Sequence, residues 1–172
     1  VQVVSWKGFG ANLQSLQEAA ASAGHFNPLV DFDGNSRRVP MIVEHGGAYY
    51  EALSLAVVRT LLGHAQLQPG YPDQDSAMEW LEVVGVDHVI KVPVDDSVAA
   101  LIPYRGRERS FPYLSAVDVL KGRADGAQLA GRIVLIGTTA PGLMDLRSTP
   151  VGATFPGVEV HANLIAGILD GK

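Results

Sequence analysis

Cysteine is missing from all 172 residues, which removes disulfides, thiolate metal sites and cysteine nucleophiles together. No apolar run reaches the ~18 residues that a membrane-spanning helix needs, and Val1 to Val4 is too short for the apolar part of a signal peptide. Basic runs are lacking too: 13 Lys and Arg stand against 18 Asp and Glu, a formal net charge of −5. Without a basic stripe there is no electrostatic footprint for a phosphate backbone, so nucleic acid is not an expected partner. There is no internal repeat, low-complexity tract or linker to divide the chain, and one domain spanning 1–172 is the expectation.

Motifs for several chemistries are likewise lacking. Gly131 to Thr139 has glycines and threonines but no Lys where a phosphate-binding loop requires one. No G-x-S-x-G elbow presents a serine, and no H-E-x-x-H sets two imidazoles on one helical face. No catalytic residue can be named, and no cofactor is implied. Asp31-Phe32-Asp33-Gly34-Asn35 has oxygen ligands at alternating positions, but Ser36 and Ile42 stand where a calcium loop needs Gly and Glu, which leaves an Asx-type turn. The five histidines, His25, His45, His64, His88 and His161, have no i,i+3 or i,i+4 partner, so no metal site is expected.

What remains is a globular composition, 47% apolar and 18% charged, with patterns of both helix and strand. Helices are predicted over 12–23, 51–62 and 158–169, with Leu53, Ala56, Val57 and Leu61 on the buried stripe of the second. Arg38 to His45 reads as a strand that turns at Gly46-Gly47 into a hairpin, and Gln68 to Asp75 reads as a surface loop. The runs 81–84, 88–92 and 98–104 suggest an antiparallel meander. Ser115-Ala116-Val117-Asp118 is close to a capping box before a short helix that Gly122 closes. Ile133 to Ile136 is continuously apolar, the pattern of a central strand covered on both faces. The expected fold is therefore α/β: a mixed sheet with a buried central strand near 133–136, flanking helices and an antiparallel hairpin or meander region.

Several stretches, taken in order, resemble the CHASE2 family of extracellular sensory domains. Gly24-His25-Phe26-Asn27, Asp31-Phe32-Asp33-Gly34 and Arg37-Arg38-Val39-Pro40 look like its first run, and Tyr50 to Ala56 resembles its helix start. Ile102-Pro103-Tyr104-Arg105-Gly106 is similar to its I-N-Y-R-G strand end, with Pro103 in place of the usual polar residue. Phe111 to Leu120 matches F-P-x-x-S-x-x-D-V-L. The most specific agreement runs from Gly131 to Ala140 and on through Asp145, Arg147, Thr149-Pro150 and Pro156 to Asn163.

The resemblance implies a non-catalytic, extracytoplasmic input domain of a bacterial receptor anchored in the inner or plasma membrane. In such receptors the output enzyme is an adenylate or guanylate cyclase, a histidine kinase or a diguanylate cyclase. It also implies that the family's N-terminal portion is lacking and that membrane helices flank the domain; a homodimer is expected through part of the final helix or an edge strand that the missing portion leaves unpaired. The ligand, a small molecule or a periplasmic protein, is undefined. Arg105, Thr138, Asp145, Arg147, His161 and Asn163 are the candidate ligand-binding residues, since each falls in a matching stretch. Arginine suits an anionic ligand through its planar fork, and a glycine-flanked Thr138 after an apolar strand is where α/β sheets open crevices. The alternatives are that Asp145 and Arg147 pair structurally while His161 and Asn163 complete the last helix, and that the whole fold is a dimerisation module without a ligand.

Overall fold

In the computed structural model, residues 1–139 and 145–172 are described. The chain builds four small sheets and two packed helices. Strand β1 (Val4–Ser5) runs parallel to β4 (Ile42–His45), which pairs antiparallel with β5 (Ala48–Glu51). The turn between β4 and β5 is Gly46-Gly47, both left-handed with φ of 61° and 81°, the geometry a two-residue type I′ hairpin demands and glycine supplies without strain. A second sheet sets β3 (Ser36–Pro40) between β2 (Leu29–Val30) and β9 (Ala99–Leu101). Strands β6 (Gln66–Gly70), β7 (Trp80–Val84) and β8 (Val89–Pro93) form an antiparallel meander, and β10 (Leu146–Thr149) and β11 (Gly152–Pro156) form a hairpin.

Helix α2 (Leu53–Leu61) packs against α4 (Gly157–Leu169). Their contact face supplies Leu55, Val58, Val160, Leu164, Ile165 and Ile168 to a core completed by Val39, Met41, Val83, Val92, Ile102 and Phe155. Each of these large side chains removes most of its surface from water, roughly 1.5 to 3 kcal/mol apiece before the entropy of ordering is subtracted. Helices α1 (Gln14–Ala19) and α3 (Ala116–Leu120) bury nothing.

The α/β class and the mixed, hairpin-rich sheets agree with the sequence, but the central strand does not. Among the described residues, 133–136 have no ladder partner, and Ile133, Val134 and Ile136 are 41%, 53% and 93% exposed. Only Leu135 packs on the core. An apolar run predicts burial, but a strand also needs a neighbour to bond, and among the described residues none lies beside this one. The two helices expected to cover it instead cover each other.

Other boundaries shift for local reasons. The first helix shrinks to α1, with Leu13 and Leu16 exposed, because no element faces its apolar stripe. In α2 the buried residues are Ser54, Leu55, Ala56 and Val58, and Leu61 is exposed: the stripe is rotated by the direction in which α4 approaches. Residues 68–70 of the expected loop 68–75 belong instead to strand β6, because Pro69 sits opposite Leu81 on the meander's edge, where a missing N–H costs no ladder bond. Residues 99–101 leave the meander for β3. The predicted strand 38–45 divides at Met41, whose N–H bonds the Val98 carbonyl at 2.8 Å. Ser115 does precede α3, but its side chain makes no cap bond.

Candidate functional site

Helix α4 enters from Pro156 at the end of β11, and its first two turns carry the polar side chains of interest. Glu159 is 2% exposed and accepts three hydrogen bonds, from Arg109 N at 2.9 Å, Ser110 N at 2.8 Å and the Tyr113 hydroxyl at 2.7 Å. Burial beside this carboxylate pushes the Tyr113 phenol up from its ordinary range, since an ionised phenolate would lose the bond and face a like charge. Arg109 holds a left-handed conformation, φ 67°, which turns its N–H and that of Ser110 toward the same acceptor. One turn further, the buried Asn163 accepts from Arg105 N at 2.9 Å through Oδ1 and donates to the Glu159 carbonyl at 2.8 Å through Nδ2. The loop 105–113 is thereby fastened to α4 at both its ends. The Arg105 guanidinium also pairs with Asp170 at the end of α4 and lies 5.6 Å from the Phe111 ring centroid.

On the opposite flank of α4, His161 is 6% exposed. Its pKa is lowered, chiefly by burial; the Phe26 backbone and Asp145 act against the shift and Arg147 acts with it. Arg147 Nη2 lies 3.6 Å from Asp145 Oδ1. The Asp145 carboxylate sits over Gly157, where an added Cβ would fall 2.2 Å from Oδ1, and its carbonyl accepts the Gly157 N–H at 2.9 Å. A negative charge against the first residue of a helix is favourable, so glycine here permits the close approach.

The six sequence candidates thus divide into two groups. Arg105 and Asn163 meet on one flank; Asp145, Arg147 and His161 meet on the other. Thr138 is exposed in the stretch after Ile136 and, among the described residues, makes no hydrogen bond to either group. The separation follows from helical geometry, because residues 161 and 163 point to opposite sides. Two open depressions, of about 300 and 410 Å³, lie elsewhere, along Arg107, Val151 and Phe155 and along Tyr71, Asp73 and Glu82, and none of the six lines either. Glu159, the best-connected polar group, was not among the candidates. The signal for it was present: a carboxylate between Val158 and Val160 at the third position of an apolar helix is a buried charge that requires donors.

Among the described residues no group of three or more His, Asp or Glu side chains is arranged to hold a metal ion. Asp31 and Asp33, the carboxylates of the calcium-like turn, are bound instead by Arg37 and Arg38 at 2.6 to 2.9 Å, and these cations hold both below the usual carboxylate range.

The CHASE2 domain family matches residues 2–172, and the chain belongs to that family. CHASE2 domains are extracellular sensory domains of signalling receptors and are not themselves catalytic. No curated protein and no solved structure matches the chain. Among the described residues no helix is long and apolar enough to cross a membrane.

Proposed function

We propose that the chain is the extracytoplasmic input domain of a bacterial transmembrane receptor whose output enzyme is a cyclase or a kinase, and that α4 is the element that hands the signal on. The observation that supports this is the double fastening of loop 105–113 to α4 through Glu159 and Asn163. A ligand that moves the loop moves the helix, because the acceptors Glu159 and Asn163 are buried and lose these donors only at a cost. The ligand is an anionic small molecule or an acidic surface of a periplasmic protein. Arg105, on the fastened loop and held beside Asn163, is its direct contact; Asp145, Arg147 and His161 lie on the other flank of α4 and do not meet the same ligand, and Thr138 joins neither group. The second reading, a homodimerisation module without a ligand, is favoured by the exposed apolar run Ile133, Val134 and Ile136.

Two measurements test the choice. A thermal-shift screen of carboxylate and phosphate metabolites is expected to give a compound that stabilises the parent chain and fails to stabilise Arg105→Ala. No stabilising compound, together with a concentration-dependent dimer in light scattering, would move the reading to the dimerisation module. For location, a periplasm-dependent phosphatase fused to this domain in the full receptor is expected to be active; an inactive fusion would refute the extracytoplasmic placement.

A further inference from the structure

His25 and His161 face each other's charge in the seam where the N-terminal segment meets the body of the domain. The segment is seated there through His25. Its N–H bonds the Glu51 carbonyl at 2.9 Å, its carbonyl accepts the Leu53 N–H at 2.7 Å, and it forms a parallel bridge to Ala52. Gly24 lies so close to the Ala52–Leu53 backbone that a Cβ would approach to 2.6 Å. His161 reaches up from α4 to the Phe26 backbone. Between this seat and β1 runs α1, wholly exposed, so residues 24–27 and β1 are what hold the segment down.

The imidazoles are poorly provided for. Neither nitrogen of His25 has a hydrogen-bond partner of good geometry, and neither does Nδ1 of His161. The edge of Trp6 covers His25, with ring centroids 5.0 Å apart. Two charged pairs lie beside the seam. Glu51, from β5, is tied to Arg59 of α2 through Oε1 at 2.7 Å and keeps Oε2 buried without a partner; Asp145, just before β10, and Arg147 of β10 face His161 and lie 3.6 Å from each other. The Pro40 backbone beside His25, and the Phe26 backbone and Asp145 beside His161, favour a proton on each ring, but burial outweighs them and leaves both pKa values lowered, and a second proton adds repulsion.

We infer that His25 and His161 form an acid-operated latch, which holds residues 24–27 against α4 while both rings are neutral and releases them when the rings are protonated. The stimulus class is the proton, and this identification, though not the latch itself, rests on the sensor reading above. Burial pushes the His25 pKa down to about 4 from an ordinary 6.5 and lowers that of His161 as well. The released state, with rings in water, binds protons at ordinary histidine values. Acid thus favours release, beginning below pH 6.5 and reaching its full extent as the pH falls toward the closed-state value of about 4.

Amide exchange read by mass spectrometry, corrected for the intrinsic effect of pH, tests this on the chain as it stands. Between pH 7 and about 4.5, residues 20–30 are expected to lose protection about tenfold or more, which is ~1.4 kcal/mol of opening free energy, while the meander 80–93 keeps its protection. His25→Phe, which preserves the edge contact with Trp6, and His161→Gln are each expected to reduce the response, and the double variant to abolish it. Should His25→Phe fail to fold by circular dichroism at neutral pH, His161→Gln alone decides. Unchanged protection in the parent, a response that survives the substitutions, or a loss spread evenly over the meander would overturn the latch. The readout involves no receptor output. A receptor whose output ignores every extracytoplasmic stimulus would thus sink the sensor reading and leave the exchange result standing.

Discussion

Glu159→Ala removes the acceptor of three hydrogen bonds without touching the apolar core. Bonds to a charged acceptor are each worth roughly 1.5 to 3 kcal/mol when fully buried. Arg109 and Ser110 are exposed residues, so their N–H groups regain water when the carboxylate is gone, and about 1 kcal/mol each is the better figure. The Tyr113 hydroxyl adds a similar amount, and the lost anion in the first turn of α4 adds about 0.5 kcal/mol. The sum is about 3 to 4 kcal/mol. With a urea dependence of roughly 2 kcal/mol per molar for a chain of this size, the unfolding midpoint should fall by about 1.5 to 2 M. Glu159→Gln keeps the shape but turns an amide N–H toward one of the donors, and should lose about half as much. Exchange in residues 107–113 should rise in both variants before global unfolding begins. A midpoint for Glu159→Ala within ~0.3 M of the parent would refute the claim that this carboxylate holds the loop.

Three further outcomes are expected, each read from unfolding curves. Gly167→Ala, a change that gains up to about 1 kcal/mol in an open helix, should instead cost about 1 to 2 kcal/mol, because the new Cβ would fall 2.3 Å from the Pro103 ring; a stabilised variant would show that Pro103 and α4 are not so close. Leu135→Ala should cost about 1 kcal/mol, well below the 2 to 5 of a fully buried leucine, since it is the one inward side chain of an exposed run; a loss above ~3 would restore the central strand. Arg147→Ala should change stability by less than about 1 kcal/mol, as its pairing with Asp145 is long and partly solvated, and a larger loss would make it a structural residue of the segment before α4.

The sequence announced features whose cause is local. Gly46-Gly47 specifies a turn by itself, and the unbroken apolar stripe of 158–169 specifies a buried helix whatever it packs on. Features that depend on a partner were harder to read. Ile133 to Ile136 carries the composition of a central strand but not the identity of a neighbour, and Leu55 rather than Leu53 faces inward only because α4 approaches from that side. Residues 99–101 differ little in pattern from 89–93, yet they pair with β3 because the Asp95–Val98 turn sends them there. At the site, the spacing of His161 and Asn163 already implied that one helix cannot aim both at one ligand. Glu159 is legible as a charge flanked by Val158 and Val160 on an apolar helix, but its partners, two backbone N–H groups and a distant tyrosine, leave no trace in composition.

The arrangement of four small sheets bears on how the chain is made. The meander closes strand upon adjoining strand, and the β4–β5 and β10–β11 hairpins do likewise, so each can form as soon as its own residues are available. Strand β3 is different: β2 gives it one neighbour early, but Arg38, Val39 and Pro40 await Leu101, Ala100 and Ala99 for the other. On the ribosome that edge stays open while the whole meander is synthesised, and for a protein bound for export this favours keeping the chain unfolded until translocation is complete. The last step on that side passes through Val98, a β-branched residue held at φ 56°, so the sheet closes over a backbone conformation that valine resists on its own.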